Sequence, residues 1–348
     1  MARTGQAGQV YVGSNLRAVT TPYLYQIAER VFPDHDPWRV LGYNADVDAA
    51  MEDVWPVGGA YVVPTAAMQM EAVSSSAGDE DAGTVIKSGT SDTITVSGTT
   101  LTLTDAAVDF TAATAVAAGD CLLLDGDVCH AIVLTVAANV LTAGYCDDVE
   151  PTSAQAYRIV DHSLPAASTG VKVVHLDCLD ADYAEHEEFV VLNGNTAVAT
   201  AATNLLRVNL IHTVFAGSLK AAVGTIDVRH VADTPIYRRM DIGRNRSDTA
   251  FYTIPDGKAG YITSWMIGEG FSTVNRYVEA HLRTTTDDHG RLVDGIFFGK
   301  GFVIVQDNTI VVRFDVPIKV AGRSDVKVSA SCPETNAIVV TNWEGWIE

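Results

Sequence analysis

The sequence is short of cysteine, lysine, helical periodicity and long apolar runs, and each shortage narrows what the chain can be. Its 348 residues hold five cysteines, Cys121, Cys129, Cys146, Cys178 and Cys332. The number is odd and no two are spaced C-x-x-C, which argues against a disulfide framework and a zinc ribbon. They read as small buried hydrophobes, with a Cys121–Cys129 bridge left open. No apolar run reaches the roughly 18 residues that a membrane-spanning helix needs. The opening stretch MARTGQAGQVYVGSNLR has neither the charged nor the apolar region of a signal peptide. With 7 Lys and 16 Arg against 30 Asp and 13 Glu, the formal net charge is −20, which argues against nucleic-acid binding, since that needs clustered cations to neutralise phosphates. An Asp-rich, Lys-poor balance points to a marine or halophilic source, with GC-biased coding as the alternative.

Motifs of catalysis are missing too. There is no G-x-S-x-G elbow, no Walker loop, no G-x-G-x-x-G and no H-E-x-x-H. We therefore assign no catalytic, cofactor-binding or metal-ligating residue, expect no cofactor, and expect the chain not to be an enzyme. The nine histidines form no i, i+4 pair; His175 and His281 fall inside strand patterns, and His212 and His230 at strand ends. Acidic clusters occur at Asp79–Asp81, in Asp177, Asp180, Asp182 and Glu185, and at Asp287–Asp288. Oxygen-rich loops of this kind can hold Ca²⁺, but the EF-hand spacing is not met, and Asp also favours turns for its own hydrogen bonds.

Apolar residues make up 47% of the chain, enough for several cores. One helix is expected over 22–32, opened by Pro22 with Leu24, Ile27, Ala28 and Val31 on one face. Residues 33–64 carry Pro33, Pro37, Pro56 and Pro64 among isolated aromatics. They read as an extended arm, so residues 1–64 form an N-terminal arm. Its Trp38, Tyr43, Trp55 and Tyr61 are the candidate assembly contacts, lying on another surface or on the arm's own domain.

From residue 65 the pattern is β. Runs such as VKVVHLDCL, EEFVVLNG and NLLRVNLIHTVFAG alternate or stay apolar between turn residues, and LNGN (192–195) is a hairpin signal. Residues 65–84 and 168–235 read as a first β-sandwich. Residues 85–167 interrupt it with a Thr-, Val- and Ala-rich piece holding ten acidic and two basic residues. Its short strands at close spacing suggest a small barrel inserted at a loop tip. Residues 236–348 give at least seven strands, a sandwich or jelly roll. A faint internal repeat links 171–194 with 276–301. The expected fold class is all-β, with tandem sandwich or jelly-roll-like domains, an inserted small acidic barrel and an extended N-terminal arm.

Several segments carry a resemblance. YNADVDAAMEDVWPVGGAYVVP (43–64), SSSAGDEDAGT (74–84), VKVVHLDCLDADYAEHEEFVVLNGNTAV (171–198) and FYTIPDGKAGYITSW (251–265) resemble β-sandwich structural proteins of tailed-virus particles. The last is close to the "YTVPAGKTAYI" strand pair of that group, with Asp256 in place of the usual Ala. The 85–167 insert is similar to small barrels of viral decoration and fibre proteins. The resemblance implies a location in the virion after assembly in the host cytoplasm. It implies an oligomeric head-decoration, turret or vertex protein, attached to the capsid through its N-terminal part. Tail or baseplate attachment, and receptor or carbohydrate binding, are the alternatives. The implied partners are further copies of the chain (a trimer or pentamer), the major capsid protein or other virion proteins, and a host surface glycan. Tyr252, Tyr261, Trp265 and Tyr277 are the residues that could stack on a sugar, while alternation along their strands points most of them inward instead.

Overall fold

A computed structural model describes residues 9–12, 15–18, 27, 35–80, 85–97, 100–112, 115–124, 129–145, 154–160, 169–231, 234–270, 277–333 and 337–348. The expected helix over 22–32 lies outside these residues except for Ile27, which is helical and buried. The remaining described elements are strands, so the chain is all-β as expected. Among the described residues no helix is long and apolar enough to cross a membrane.

Strands β1 (Gln9–Val12) and β2 (Asn15–Ala18) pair as an antiparallel hairpin. Strands β3 (Asp36–Val47) and β4 (Glu52–Asp53) follow, and then β5 (Met70–Ser74). The insert contributes β6 (Val85–Thr90), β7 (Thr93–Ser97), β8 (Thr100–Thr104), β9 (Cys121–Leu124), β10 (Cys129–Ala137), β11 (Val140–Tyr145) and β12 (Ala156–Val160). After it come β13 (Val171–Asp180), β14 (Glu185–Val191), β15 (Val198–Ala199), β16 (Leu205–Ala216), β17 (Ile226–His230) and β18 (Ile236–Met240). The chain ends with β19 (Phe251–Thr253), β20 (Gly260–Gly270), β21 (Val278–Thr284), β22 (Phe298–Val305), β23 (Thr309–Val320), β24 (Asp325–Ser331) and β25 (Ala337–Ile347).

The last module has the sheet orders β3-β25-β20-β23 and β19-β24-β21-β22. Counting only these eight strands in chain order gives 1-8-3-6 and 2-7-4-5, the strand order of an eight-stranded jelly roll. Its first strand is therefore β3, which the sequence pattern had placed in the arm. That expectation is corrected. Over twelve residues β3 buries Trp38, Val40, Gly42, Asn44 and Val47, a two-residue period that the prolines and scattered aromatics disguise. It pairs with β25 along almost its whole length. Trp38 packs edge-on against Trp343, with ring centroids 6.0 Å apart, and against Tyr252 at 5.2 Å. Gly42 is required by a close approach, since a side-chain carbon there would collide with Ala250.

Between β3 and β19 the chain makes a second sandwich, with sheets β14-β13-β16 and β15-β5-β17-β18 around Met70, Val174, Leu176, Val208, Ile226 and their neighbours. The way out and the way back lie side by side: the Ala250 amide donates to Val54 O at 2.9 Å, and the Val54 amide to Val328 O at 2.9 Å. The Asn193–Gly194 turn does not close a hairpin, because β14 and β15 belong to opposite sheets.

Inside that sandwich, between β5 and β13, sits the insert. Its seven strands form one sheet of order β6-β12-β9-β10-β11-β8-β7. The two edge strands are consecutive in the chain, and Thr90 and Thr93 are three residues apart, so the strip must curl until its edges are within about 10 Å. The interior is filled by Leu101, Leu103, Phe110, Leu122, Leu141, Tyr157 and Ile159. Cys121 pairs with Ile132 and Cys129 with Leu124. The register thus offsets the two cysteine backbones by three residues on neighbouring strands. The fold is thus doubly nested, a curled sheet within a sandwich within a jelly roll.

Candidate functional site

Three of the four aromatics singled out as assembly contacts are used up inside the chain. Trp38 lies in the jelly-roll core. Trp55 and Tyr61 are buried with Phe251, Tyr61 stacked on Phe251 at 4.1 Å and set edge-on to Trp55 at 5.1 Å. The Tyr61 hydroxyl donates to Tyr237 O at 2.9 Å, and burial pushes its pKa up to about 12. Tyr43 is half-buried, its amide donating to Asp248 O. Trp55 and Tyr61 thus pack where the sandwich meets the jelly roll, and Trp38 packs within the jelly roll.

That seam is strongly polar at its centre. Arg238 is fully buried and donates to the carbonyl oxygens of Thr249, Asn209 and Phe251; burial lowers its pKa to about 10. Asn209 exchanges two 2.9 Å hydrogen bonds with the backbone of Thr253. The Arg238–Asn209 bond ties two strands of the sandwich together, and the others cross from the sandwich to Thr249 and to β19.

The stacking residues considered for a glycan fare no better. Trp265 is fully buried, Tyr252 packs on Trp38, and Tyr261 stacks on Trp346 at 4.9 Å. Only Tyr277 of the four is exposed.

The acidic clusters have structural partners. Asp79 is completely buried, and its carboxylate accepts from Ser74 Oγ, Val171 N, Val223 N and Gly224 N at 2.6–2.9 Å. Asp180 caps the β13–β14 turn by accepting from Asp182 N and Ala184 N. Glu185 pairs with Lys258 at 2.8 Å. Asp287 accepts from His289 N, Arg291 N and the Arg291 guanidinium.

Two features stand out as sites. The first is an apolar edge on the jelly roll. Strands β22 and β23 are the edge strands of opposite sheets and run into one another through residues 306–308, so both open edges lie on the same side. On them Phe302, Ile304, Val311 and Val316 are 55%, 53%, 56% and 81% exposed. Ile338 and Val340 of β25, two strands from β23 in the same sheet, are exposed as well. An antiparallel strand that is apolar on both faces marks a face normally covered. The signal is legible in FVIV and TIVV, where no polar residue alternates. The stretch 298–320 holds Lys300, Arg313 and Lys319 against Asp307 and Asp315, a net +1 in a chain of −20.

The second is a cleft of about 280 Å³ between β3 and the sandwich, lined among others by Trp38, Arg39, Asp177, Asn209, Arg246 and Thr249. Trp38 Nε1 and Thr249 Oγ1 are buried without a hydrogen-bond partner among the described residues. Beside the cleft, on the outer face of sheet β14-β13-β16, His175, Asp177 and His212 bring one ligand atom each to within 4.8 Å of the others. Burial, and then the nearby Arg246 charge, hold the pKa of His212 below the usual histidine value. Alternation along β13 puts His175 and Asp177 on one face, and register sets His212 opposite His175. The H-x-D spacing was visible in the sequence, but the third member comes only from strand pairing. Comparison of the chain with protein-family models, with curated proteins and with solved structures finds no match.

Proposed function

We propose that this chain is a non-enzymatic structural protein of a tailed-virus particle. It self-associates through the β22–β23 edge of its jelly roll and decorates the head as a turret or vertex component. The observation that carries this reading is the exposure of Phe302 and Ile304 on the outer face of one sheet and of Val311 and Val316 on β23 of the other, flanking two open strand edges. A second copy is the occupant that this edge favours. Two copies of a chain of charge −20 repel over most of their surface, whereas residues 298–320 are close to neutral, so association there avoids the repulsion. Unpaired edge strands also supply backbone donors and acceptors to a neighbour. Many copies on a shell would turn weak individual contacts into firm attachment. The jelly roll itself is a framework used by capsid and lectin domains alike, so it supports a particle role without deciding it. Attachment to the particle is assigned to the residues before Asp36, because 36–63 are committed to the jelly roll and its seam.

Immunogold labelling of purified tailed particles whose genome encodes the chain tests the reading, alongside native mass spectrometry of the isolated protein. Regular labelling at the head and a discrete oligomer are expected. Particles that lack the chain, or a monomer at all concentrations, would overturn it.

A further inference from the structure

We propose that His175, Asp177 and His212 form a binding site for a divalent transition-metal ion beside the cleft between the sandwich and the jelly roll. The residues converge for a geometric reason. His175 and Asp177 are alternate residues of β13, so both project from the sheet face opposite the hydrophobic core formed by Val174, Leu176 and Cys178. Antiparallel pairing then brings His212 of β16 directly opposite His175. Their rings lie 4.7 Å apart at 74°. His175 Nδ1 is 3.3 Å from Asp177 Oδ1, and on the far side of the ring Nε2 is 3.4 Å from Glu187 Oε2.

These spacings suit an ion. Ligand atoms around a tetrahedral zinc with bonds of about 2.1 Å sit about 3.4 Å apart. The three donors span no more than 4.8 Å, so side-chain rotation alone closes the remaining gap. One imidazole edge faces the proposed ion while the other faces a carboxylate, an arrangement that fixes ring orientation in many metal–histidine sites. His212 Nδ1 is buried and makes no hydrogen bond among the described residues, and a buried polar atom left so calls for a partner. Two imidazoles and one carboxylate are ligands for zinc and equally for iron(II), with positions left open. Asp177 also lines the cleft, so the ion could be approached from there.

The test uses tag-free full-length protein, stripped with a chelator and titrated separately with Zn²⁺, Co²⁺ and, under anaerobic conditions, Fe²⁺. Bound metal is counted by elemental analysis, and Co²⁺ is followed by its visible absorption. One ion per chain is expected. Asp177→Asn and His212→Gln should each weaken binding by about 100-fold, and the absorption bands of bound cobalt should fade with them. Asp177 is partly exposed, so its variant keeps the fold, which far-UV circular dichroism verifies. His281→Gln removes an equivalent His–Glu pair on the jelly roll, 2.9 Å from Glu279, and should leave binding unchanged. The relative affinities for Zn²⁺ and Fe²⁺ decide which ion the site prefers. Absence of stoichiometric metal, or equal binding by wild type, Asp177→Asn and His212→Gln, would overturn the proposal.

Discussion

Arg207 of the sandwich and Asp325 of the jelly roll form a buried ion pair across the seam, with Nε 3.4 Å from Oδ1. Neither is left with one partner. Arg207 also donates to Pro64 O at 2.8 Å and lies over the Tyr183 ring, while Asp325 accepts from Thr253 Oγ1 at 2.6 Å. Removing one member strands the other charge in a site with little water. Arg207→Ala or Asp325→Ala should therefore cost about 3–5 kcal/mol, and Arg207→Met with Asp325→Leu together distinctly less than the sum. Denaturant titration of the three variants checks this.

Asp79 holds the neck of the insert. Gly170 N donates to Gly78 O at 2.9 Å, so the strands leaving and rejoining the sandwich touch, and Asp79 ties both to the 223–224 segment. Asp79→Ala leaves several buried donors unpaired and should cost at least about 3 kcal/mol. Gly170→Ala should also destabilise, because its added carbon would strike the same carboxylate. Replacing residues 81–168 by a short Gly-Ser linker, by contrast, should leave the sandwich and jelly roll folded. Loss of cooperative unfolding in that deletion would contradict the neck.

On the jelly-roll edge, Val311→Glu or Phe302→Asp should weaken self-association at least about tenfold, because an unpaired charge buried in an interface costs more than the roughly 1.4 kcal/mol of a factor of ten. Both side chains are exposed in the single chain, so the melting temperature of the dissociated protein should barely change. Analytical ultracentrifugation across a concentration series separates the two effects.

Asp287 gives a pH signature. The backbone amide of Arg291, then its guanidinium, hold the Asp287 carboxyl down to about 2. The folded value lies below the unfolded one of about 3.9, so its stabilising contribution is complete above that range and is lost as pH falls through about 2. The stability difference between wild type and Asp287→Ala should be constant above about pH 5 and should close between about pH 4 and pH 2. A difference unchanged over that window would show that the carboxylate does not stabilise the loop.

Much of the strand content was legible because alternation survives in segments such as VKVVHLDCL and TIVVRFDVPIKV. The similarity of 171–194 to 276–301 also has a structural counterpart, since β13–β14 and β21–β22 are both edge hairpins whose inner strand bonds a third strand. What alternation does not encode is which strand pairs with which. Nothing local in DPWRVLGYNADV says that its neighbour is β25, so Trp38 looked like an anchor for another molecule when it is a core residue. Asp79 looked like part of an oxygen-rich loop, yet its carboxylate is saturated by protein donors. The His175–Asp177–His212 cluster depends on a register across β13 and β16 that includes several bulges, and no spacing in the chain announces it.

The pairing of β3 with β25 also bears on how the chain acquires its shape. Asp36 and Ile347 are Cα partners, so the outermost sheet joins the two ends of a segment more than three hundred residues long. Bringing such remote pieces together is slow while everything between them is slack. Once the curled sheet and then the sandwich have condensed, the remaining gap shrinks to the short distance between Val54 and Ala250. Maturation from the innermost module outward is the route this architecture favours, with the Trp38–Trp343 contact among the last to form.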